Sequence, residues 1–290
     1  MFGPACSWAI AVHWAASLCK ESMVMDVCDI CSERSFKVLW YSNGYEIRQC
    51  PACDLIYTNV SESDILHAYE IDYYKSVYPD YENDRNIHEL NNMKLLQKIE
   101  RYFAPGTLIE IGSAFGFFLA AAGRRNWNAY GYETSEYAST VARTKYHQDV
   151  RTVDFLVDPL PAKVDLICMF DTIEHLLRPS LYVEKISSSL KPGGGLVITT
   201  GDISSWAARL SGKRWRMIVP PLHVYYYSRK TITRLLEKYG FKILSISNEW
   251  KYQNLNSIFT YQFGIDKKAI PQIPIRVNLG DIMQVIARNA

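Results

Sequence analysis

Glu110, Gly112, Ala114 and Gly116 stand at alternate positions directly after the apolar pair Leu108-Ile109, and a lone acid, Glu133, follows within the next twenty residues. Small residues in a turn let backbone N–H groups approach a ligand closely. A helix that starts after such a turn offers unpaired N–H groups and a positive dipole end. An acid at the tip of the next strand can accept both hydroxyls of a ribose. These residue types suit the binding of a nucleotide-like molecule. A dinucleotide fits poorly, because a G-x-G-x-x-G fingerprint from Gly112 needs glycine where Ala114 and Phe117 stand. The other reading of the loop alone is a plain strand–turn–helix with no ligand.

A second constellation lies upstream. Cys28-x-x-Cys31 and Cys50-x-x-Cys53 are separated by 18 residues. That spacing matches a four-thiolate zinc site, with two knuckles each presenting two sulfurs to a tetrahedral ion. The competing reading is a pair of disulfides. Seven cysteines, an odd count, and no secretion signal favour a reducing, cytoplasmic setting in which thiols stay available to metal. All four ligands are thiolates, so no coordination position is left open for chemistry and the zinc is expected to be structural. Residues 37–47 are aromatic and β-rich, as the hairpin of a zinc ribbon would be.

The elements that must position these residues follow from periodicity. Residues 1–24 are expected to be a disordered extension, with Met23 or Met25 as an alternative start, and 25–58 a zinc ribbon. Residues 59–104 read as a helical linker or lid, started at Ser61-x-x-Asp64 and carrying a stripe of Ile87, Leu90, Met93, Leu95, Leu96 and Ile99. Pro105-Gly106 breaks it and opens a domain over 105–290. Strands are expected at 107–111, 128–133, 150–153, 164–170, 196–200 and 241–246. Helices are expected at 116–126, 135–146, 179–190 and 231–239. An apolar run within 279–288 reads as a last, antiparallel strand. Such alternation implies a mostly parallel sheet covered by helices on both faces, with ligands at the C-terminal ends of its strands.

At these residues the chain resembles the class I S-adenosylmethionine-dependent methyltransferases. Their first motif, an acid followed by Gly-x-Gly-x-Gly, stands here as Glu110-x-Gly112-x-Ala114-x-Gly116. Asp165 to Leu176, with Phe170-Asp171 and the pair Glu174-His175, resembles their fourth-strand motif; Leu190-Lys-Pro-Gly-Gly-Gly195 resembles their turn before strand five. The match runs over about 107–246. The resemblance implies a Rossmann-like methyltransferase fold with S-adenosylmethionine as cofactor. Glu110 and the loop Gly112, Ser113, Ala114, Phe115 and Gly116 would meet its methionine portion. Glu133, with Thr134 beside it, would hold the ribose, and Asp154 the adenine amine, unless it is only a surface acid. Phe170 and Asp171 would lie beside the cofactor. Cys50-Pro-x-Cys53 followed by Tyr73-Tyr74 resembles a subgroup with an N-terminal zinc ribbon that includes sugar C-methyltransferases, which implies a small polar acceptor such as a nucleotide-linked sugar.

Methyl transfer is an in-line displacement, so the protein must align the acceptor and remove its proton. Histidine is the side chain best suited to that near neutral pH. His175 follows strand four; His223 lies in Pro220-Pro-Leu-His223-Val-Tyr225 on the long segment after strand five, which in this fold commonly covers the acceptor. The resembling sugar enzymes have a histidine base in a similar stretch, often preceded by an acid; here Leu222 precedes it. His223 is favoured over His175, whose alternative is a helix-capping role. Arg209, Lys213, Arg214 and Arg216 lie around Trp215 and read either as a diphosphate-sugar pocket with a stacking indole or as a solvated loop; Tyr73, Tyr74 and Tyr225 are further acceptor candidates. The net charge of +2, with 21% charged residues and 20 tyrosines, argues against nucleic acid as partner. The apolar stretch 8–18 is too short to span a bilayer. Two alternatives stay open: an RNA methyltransferase gripping RNA with its ribbon, and a zinc-binding scaffold on a degenerate fold.

Overall fold

A computed structural model describes residues 26–65, 81–248, 250–256 and 273–290. The expected extension over 1–24 and the acceptor candidates Tyr73 and Tyr74 lie outside the described residues.

Seven strands form the central sheet: β4 (Thr107–Ile111), β5 (Asn128–Tyr132), β6 (Val150–Arg151), β7 (Val164–Phe170), β8 (Leu190–Gly201), β10 (Phe241–Asn248) and β13 (Ile282–Asn289). Their order is β10-β13-β8-β7-β4-β5-β6. β4 pairs in parallel with both β5 and β7, and β7 with β8. β13 runs antiparallel between β8 and β10. The mostly parallel sheet with an antiparallel strand inserted late in the chain is therefore the one expected. β4 and β7 are buried on both faces, which is why they read as continuous apolar runs rather than alternating ones.

Helices α2 (Phe117–Gly123), α3 (Glu136–Thr144), α4 (Pro179–Ser189) and α6 (Arg229–Lys238) connect the strands, and a short α5 (Trp206–Ser211) follows β8. Their starts are written in the sequence. Ser135, Ser205 and Ser228 each accept a bond from a backbone N–H three residues on. Ser228 and Thr231 form a reciprocal capping box. β8 begins at Leu190, six residues before the expected strand. The reason lies in its register: Val164 pairs with Leu190 but Leu166 with Gly195, so residues 191–194 bulge within the strand instead of preceding it.

Upstream, β1 (Lys37–Ser42) and β2 (Tyr45–Gln49) form the expected hairpin. Asn43 and Gly44 both have positive φ, the requirement of the tight turn that matches strand twist. β3 (Ile56–Thr58) adds to β2, and β9 (Tyr225–Tyr226) from the distant post-β8 segment adds to β3. The ribbon thus shares a sheet with the C-terminal half of the chain. Cys28, Cys50, Cys53 and Tyr57 sit in one hydrophobic cluster with Tyr225, Tyr227, Leu235 and strand residues such as Ile167.

Between the two regions, Ser61 and Asp64 bond reciprocally as a helix start. α1 (Arg85–Ile99) buries Ile87, Leu96 and Ile99, whereas Leu90, expected in its stripe, is 43% exposed. Asn91 ties α1 to the β11 (Lys251–Asn254) backbone through both its amide atoms. β11 pairs with β12 (Pro274–Val277) in a separate two-stranded sheet. Among the described residues, no helix is long and apolar enough to cross a membrane.

Candidate active site

The loop after β4 is built from left-handed backbone. Gly112, Ala114 and Gly116 have φ of 76°, 48° and 75°. A Cβ on Gly112 would fall 2.5 Å from the Thr172 hydroxyl, so glycine is required there by contact as well as by φ. Ala114 pays a modest conformational cost where the motif has glycine. The loop is pinned from the next strand: the Gly112 and Ser113 amides donate to the Tyr132 carbonyl at 2.8 and 3.1 Å. Glu133 accepts from the Ala114 amide at 2.9 Å and from the Ser135 amide at 2.8 Å, so its carboxylate spans the loop and the start of α3. Thr134 lies between those two anchors.

Beneath the loop, Glu110 is 5% exposed, and its Oε2 is buried with no hydrogen-bond partner among the described residues. Burial and the negative charge of Glu133 hold its carboxyl well above the usual carboxylate range. Ser113 Oγ is likewise buried without a partner. A buried acceptor left unpaired is costly, and a cationic, N–H-bearing group of a ligand would relieve it. The Phe115 ring packs into an aromatic cluster with Phe117, Tyr81 and Tyr146. Tyr81 and His88, from outside the expected domain, thereby wall the loop; their spacing carries no sequence signal.

At the end of β7, Asp171 also has positive φ, 49°. Its carboxylate accepts from Thr199 Oγ1 at 3.0 Å and faces Lys251 Nζ at 3.4 Å. Phe170 packs edge-on against Phe118. Asp154 accepts from the Leu156 amide and from the Tyr182 hydroxyl, at 2.8 and 2.7 Å, through the same oxygen. One oxygen is therefore committed to shaping its own loop.

Three residues converge beyond Asp171. Glu174, His175 and His223 place ligand-type atoms within 4.8 Å of one another. The two imidazoles meet edge to face, centroids 4.7 Å apart. Each is oriented by a backbone carbonyl: His175 Nδ1 by Leu222 at 2.9 Å and His223 Nδ1 by Met217 at 2.7 Å. A carbonyl only accepts, so both Nδ1 atoms carry the proton and each Nε2 is the basic nitrogen. Burial lowers His223, and it lowers His175, with His223 adding to the effect, to about 3. Both rings are neutral near pH 7. Glu174 accepts from Thr200 at 2.9 Å through Oε2, while its Oε1 is buried without a partner. Burial, with Asp171 repulsion added, pushes Glu174 up to about 8. The Glu-His pair was legible as a motif, but the meeting with His223 was not.

Two of the acceptor candidates are elsewhere. Trp215 is 3% exposed, donates to Asp281 at 3.0 Å and packs against Gly201. Its indole is a structural plug, which corrects the expectation of a stacking platform within the basic cluster. Lys213 and Arg214 lie on an exposed turn. Tyr225 is buried, pairs in β9 and donates to the Leu177 carbonyl at 3.0 Å, so its hydroxyl is engaged within the protein rather than offered to an acceptor.

The four ribbon cysteines also cluster within 4.8 Å. Cys28 and Cys53 sulfurs are 3.4 Å apart, and those of Cys31 and Cys50 3.5 Å. These distances are too long for disulfides and close to the edge of a tetrahedron of thiolates around one ion, roughly 3.8 Å for Zn–S bonds of about 2.3 Å. The two knuckles repeat one shape: the Ser32 and Asp54 amides return to the Cys28 and Cys50 carbonyls.

A family model described as a methyltransferase domain matches residues 84–246. The ubiquinone biosynthesis O-methyltransferase of Paraburkholderia phytofirmans is 25% identical over 153 residues, covering 49% of this chain and 66% of that protein. Its counterpart from Idiomarina loihiensis is 26% identical over 108 residues, covering 34% and 44%. The chain thus spans less than two thirds of the length of these two relatives. An S-adenosylmethionine-dependent methyltransferase of Thermotoga maritima shares the fold, with a TM-score of 0.52 at 20% identity over 76% of this chain and 99% of that one. One from Archaeoglobus fulgidus gives 0.51 at 17%, over 69% and 94%.

Proposed function

The chain belongs to the methyltransferase-domain family, and from that premise we propose that it is an S-adenosylmethionine-dependent enzyme whose own residues divide the work as follows. S-adenosylmethionine supplies an electrophilic methyl group on a positively charged sulfur. Glu110 pairs with the cationic methionine end, Gly112 to Gly116 admit it to the backbone, Glu133 takes the ribose hydroxyls, and Asp154 the adenine amine through its uncommitted oxygen. Phe170 and Asp171 close the side next to β7. The observation that carries this reading is the buried, unpartnered Glu110 Oε2 under a left-handed loop that Glu133 spans.

The acceptor is a small polar molecule whose attacking atom carries a proton, and a nucleotide-linked sugar is the class favoured by the zinc-ribbon resemblance. His223 Nε2 takes that proton, with Met217 holding the productive tautomer and His175 packed against the ring. Alignment of acceptor and methyl group contributes up to about 7–11 kcal/mol in favourable cases, and a positioned base about 10²–10⁴-fold. O-methylation is a second reading, favoured by the two relatives named as ubiquinone biosynthesis O-methyltransferases. The cysteine cluster holds one structural Zn²⁺; the sulfur spacing supports this.

The test is thermal unfolding with S-adenosylhomocysteine. At about 100 times its dissociation constant the ligand should add roughly 2.7 kcal/mol, a saturable rise in midpoint that NAD does not produce. No shift at millimolar ligand would overturn the assignment of Glu110 and the loop.

A further inference from the structure

The basic cluster that the site does not use has a second feature beside it. α5 packs inward through Ala208, which joins Ile47, Trp215 and Tyr226 in a small core against the ribbon sheet. Its outward side carries Trp206 and Leu210, 78% and 83% exposed. They are four residues apart, hence neighbours on one helix face. Side chains this exposed stand clear of the surface rather than line a groove. They are held in place, because the helix is capped by Ser205 and anchored by its inner side.

The charge along the segment that carries them has one sign. No Asp or Glu occurs from 203 to 236. Four of the basic residues in that stretch are engaged: Arg216 with Asp281, Arg229 with Asp202, Lys230 with Asp54, and Arg234 with the Ala52 carbonyl. Arg209, Lys213 and Arg214, which flank Trp206 and Leu210, are exposed and have no ion-pair partner among the described residues.

We propose that this face, Trp206 and Leu210 ringed by Arg209, Lys213 and Arg214, docks the protein on the surface of an anionic lipid bilayer. Trp and Leu projecting from one face insert at the headgroup–acyl boundary, and the cations neutralise lipid phosphates beside them. Tryptophan is the residue type that settles at that depth. A folded acidic partner would need a groove or pocket to receive such projecting side chains, whereas a bilayer forms around them. The contact is peripheral and independent of how the cofactor and acceptor are bound.

The experiment is co-sedimentation of the full chain with phosphatidylcholine vesicles, with and without phosphatidylglycerol. Binding should appear with phosphatidylglycerol, be at least tenfold weaker on phosphatidylcholine alone, and fall as salt rises. Trp206→Ser/Leu210→Ser should weaken it tenfold or more, and Arg209→Glu should do so most at low salt. Both variants should keep the parental thermal midpoint and the shift with S-adenosylhomocysteine, which separates this proposal from the cofactor assignment. Equal binding to both vesicle types, or binding that survives in the double variant and so is carried elsewhere on the chain, would overturn it.

Discussion

Two buried carboxyls carry the chemistry of single residues furthest. Glu110 and Glu174 are both pushed above the ordinary value of 4.5, mainly by burial. A raised folded-state value means that the folded protein holds the proton more tightly than the unfolded chain. Their contribution to stability is therefore full below about pH 4.5 and is lost as pH rises through the folded values. Glu110→Gln removes the group that must ionise, so the ligand-free variant should be more stable than the parent at pH 8 and flatter in its pH dependence. The same change should weaken S-adenosylmethionine binding by about 10–100-fold, the worth of a hydrogen bond to a charged group. Melting curves across pH and a binding titration check both halves; a variant that loses stability and keeps affinity would contradict the assignment. His223→Ala should lower kcat by about 10²–10⁴ and leave cofactor affinity intact. With the imidazole held below its usual 6.5 by burial, the acid limb of the parental kcat profile should lie below pH 6.5. Glu110 is singled out in the chain by motif spacing and His223 by the stretch around it. Thr172 under Gly112 and Lys251 beside Asp171 are not, because each reaches the site from a different strand end and nothing local announces it.

At the scale of elements, local chemistry wrote most boundaries. The serine-capped helices α3 and α6 and the continuous apolar runs of β4 and β7 lie within two residues of expectation, whereas α5, capped by Ser205, was not foreseen. Several of the misses turn on contacts that the local sequence does not record. Leu90 fits the helical stripe of α1 but is 43% exposed, and Trp215 reads as a ligand platform until Asp281 and Gly201 close around it. Ser228→Ala tests the local side of this account. It breaks the capping box of α6 and should cost about 1 kcal/mol, read as a fall of roughly 2–4 °C in midpoint for a chain of this size. A Ser228→Asp variant, which can still cap, should recover most of it.

The molecule as a whole should unfold as one unit. The ribbon sheet takes its fourth strand from residues 225–226, and the cysteine knuckles share a hydrophobic cluster with α6 and the central sheet. Removing zinc with a chelator, or replacing Cys50 by serine, should therefore lower the midpoint of the whole chain in a single transition instead of adding a separate early one. Calorimetry with metal analysis reads this directly, and two resolved transitions would show the ribbon to be an independent module. The β3–β9 pairing that joins the regions is two residues long and leaves no periodic trace in the sequence.

That pairing also sets a schedule. Thr58 and Tyr226 bond across 168 positions of chain. At about 5–20 residues per second on the ribosome, the ribbon waits roughly ten to thirty seconds for its last strand. During that interval the edge of β3 is bare, and the segment holds itself by its own three strands and by the cysteine cluster proposed to bind zinc. Metal supply at the moment of synthesis, rather than after it, would then govern how much of the chain reaches its finished state.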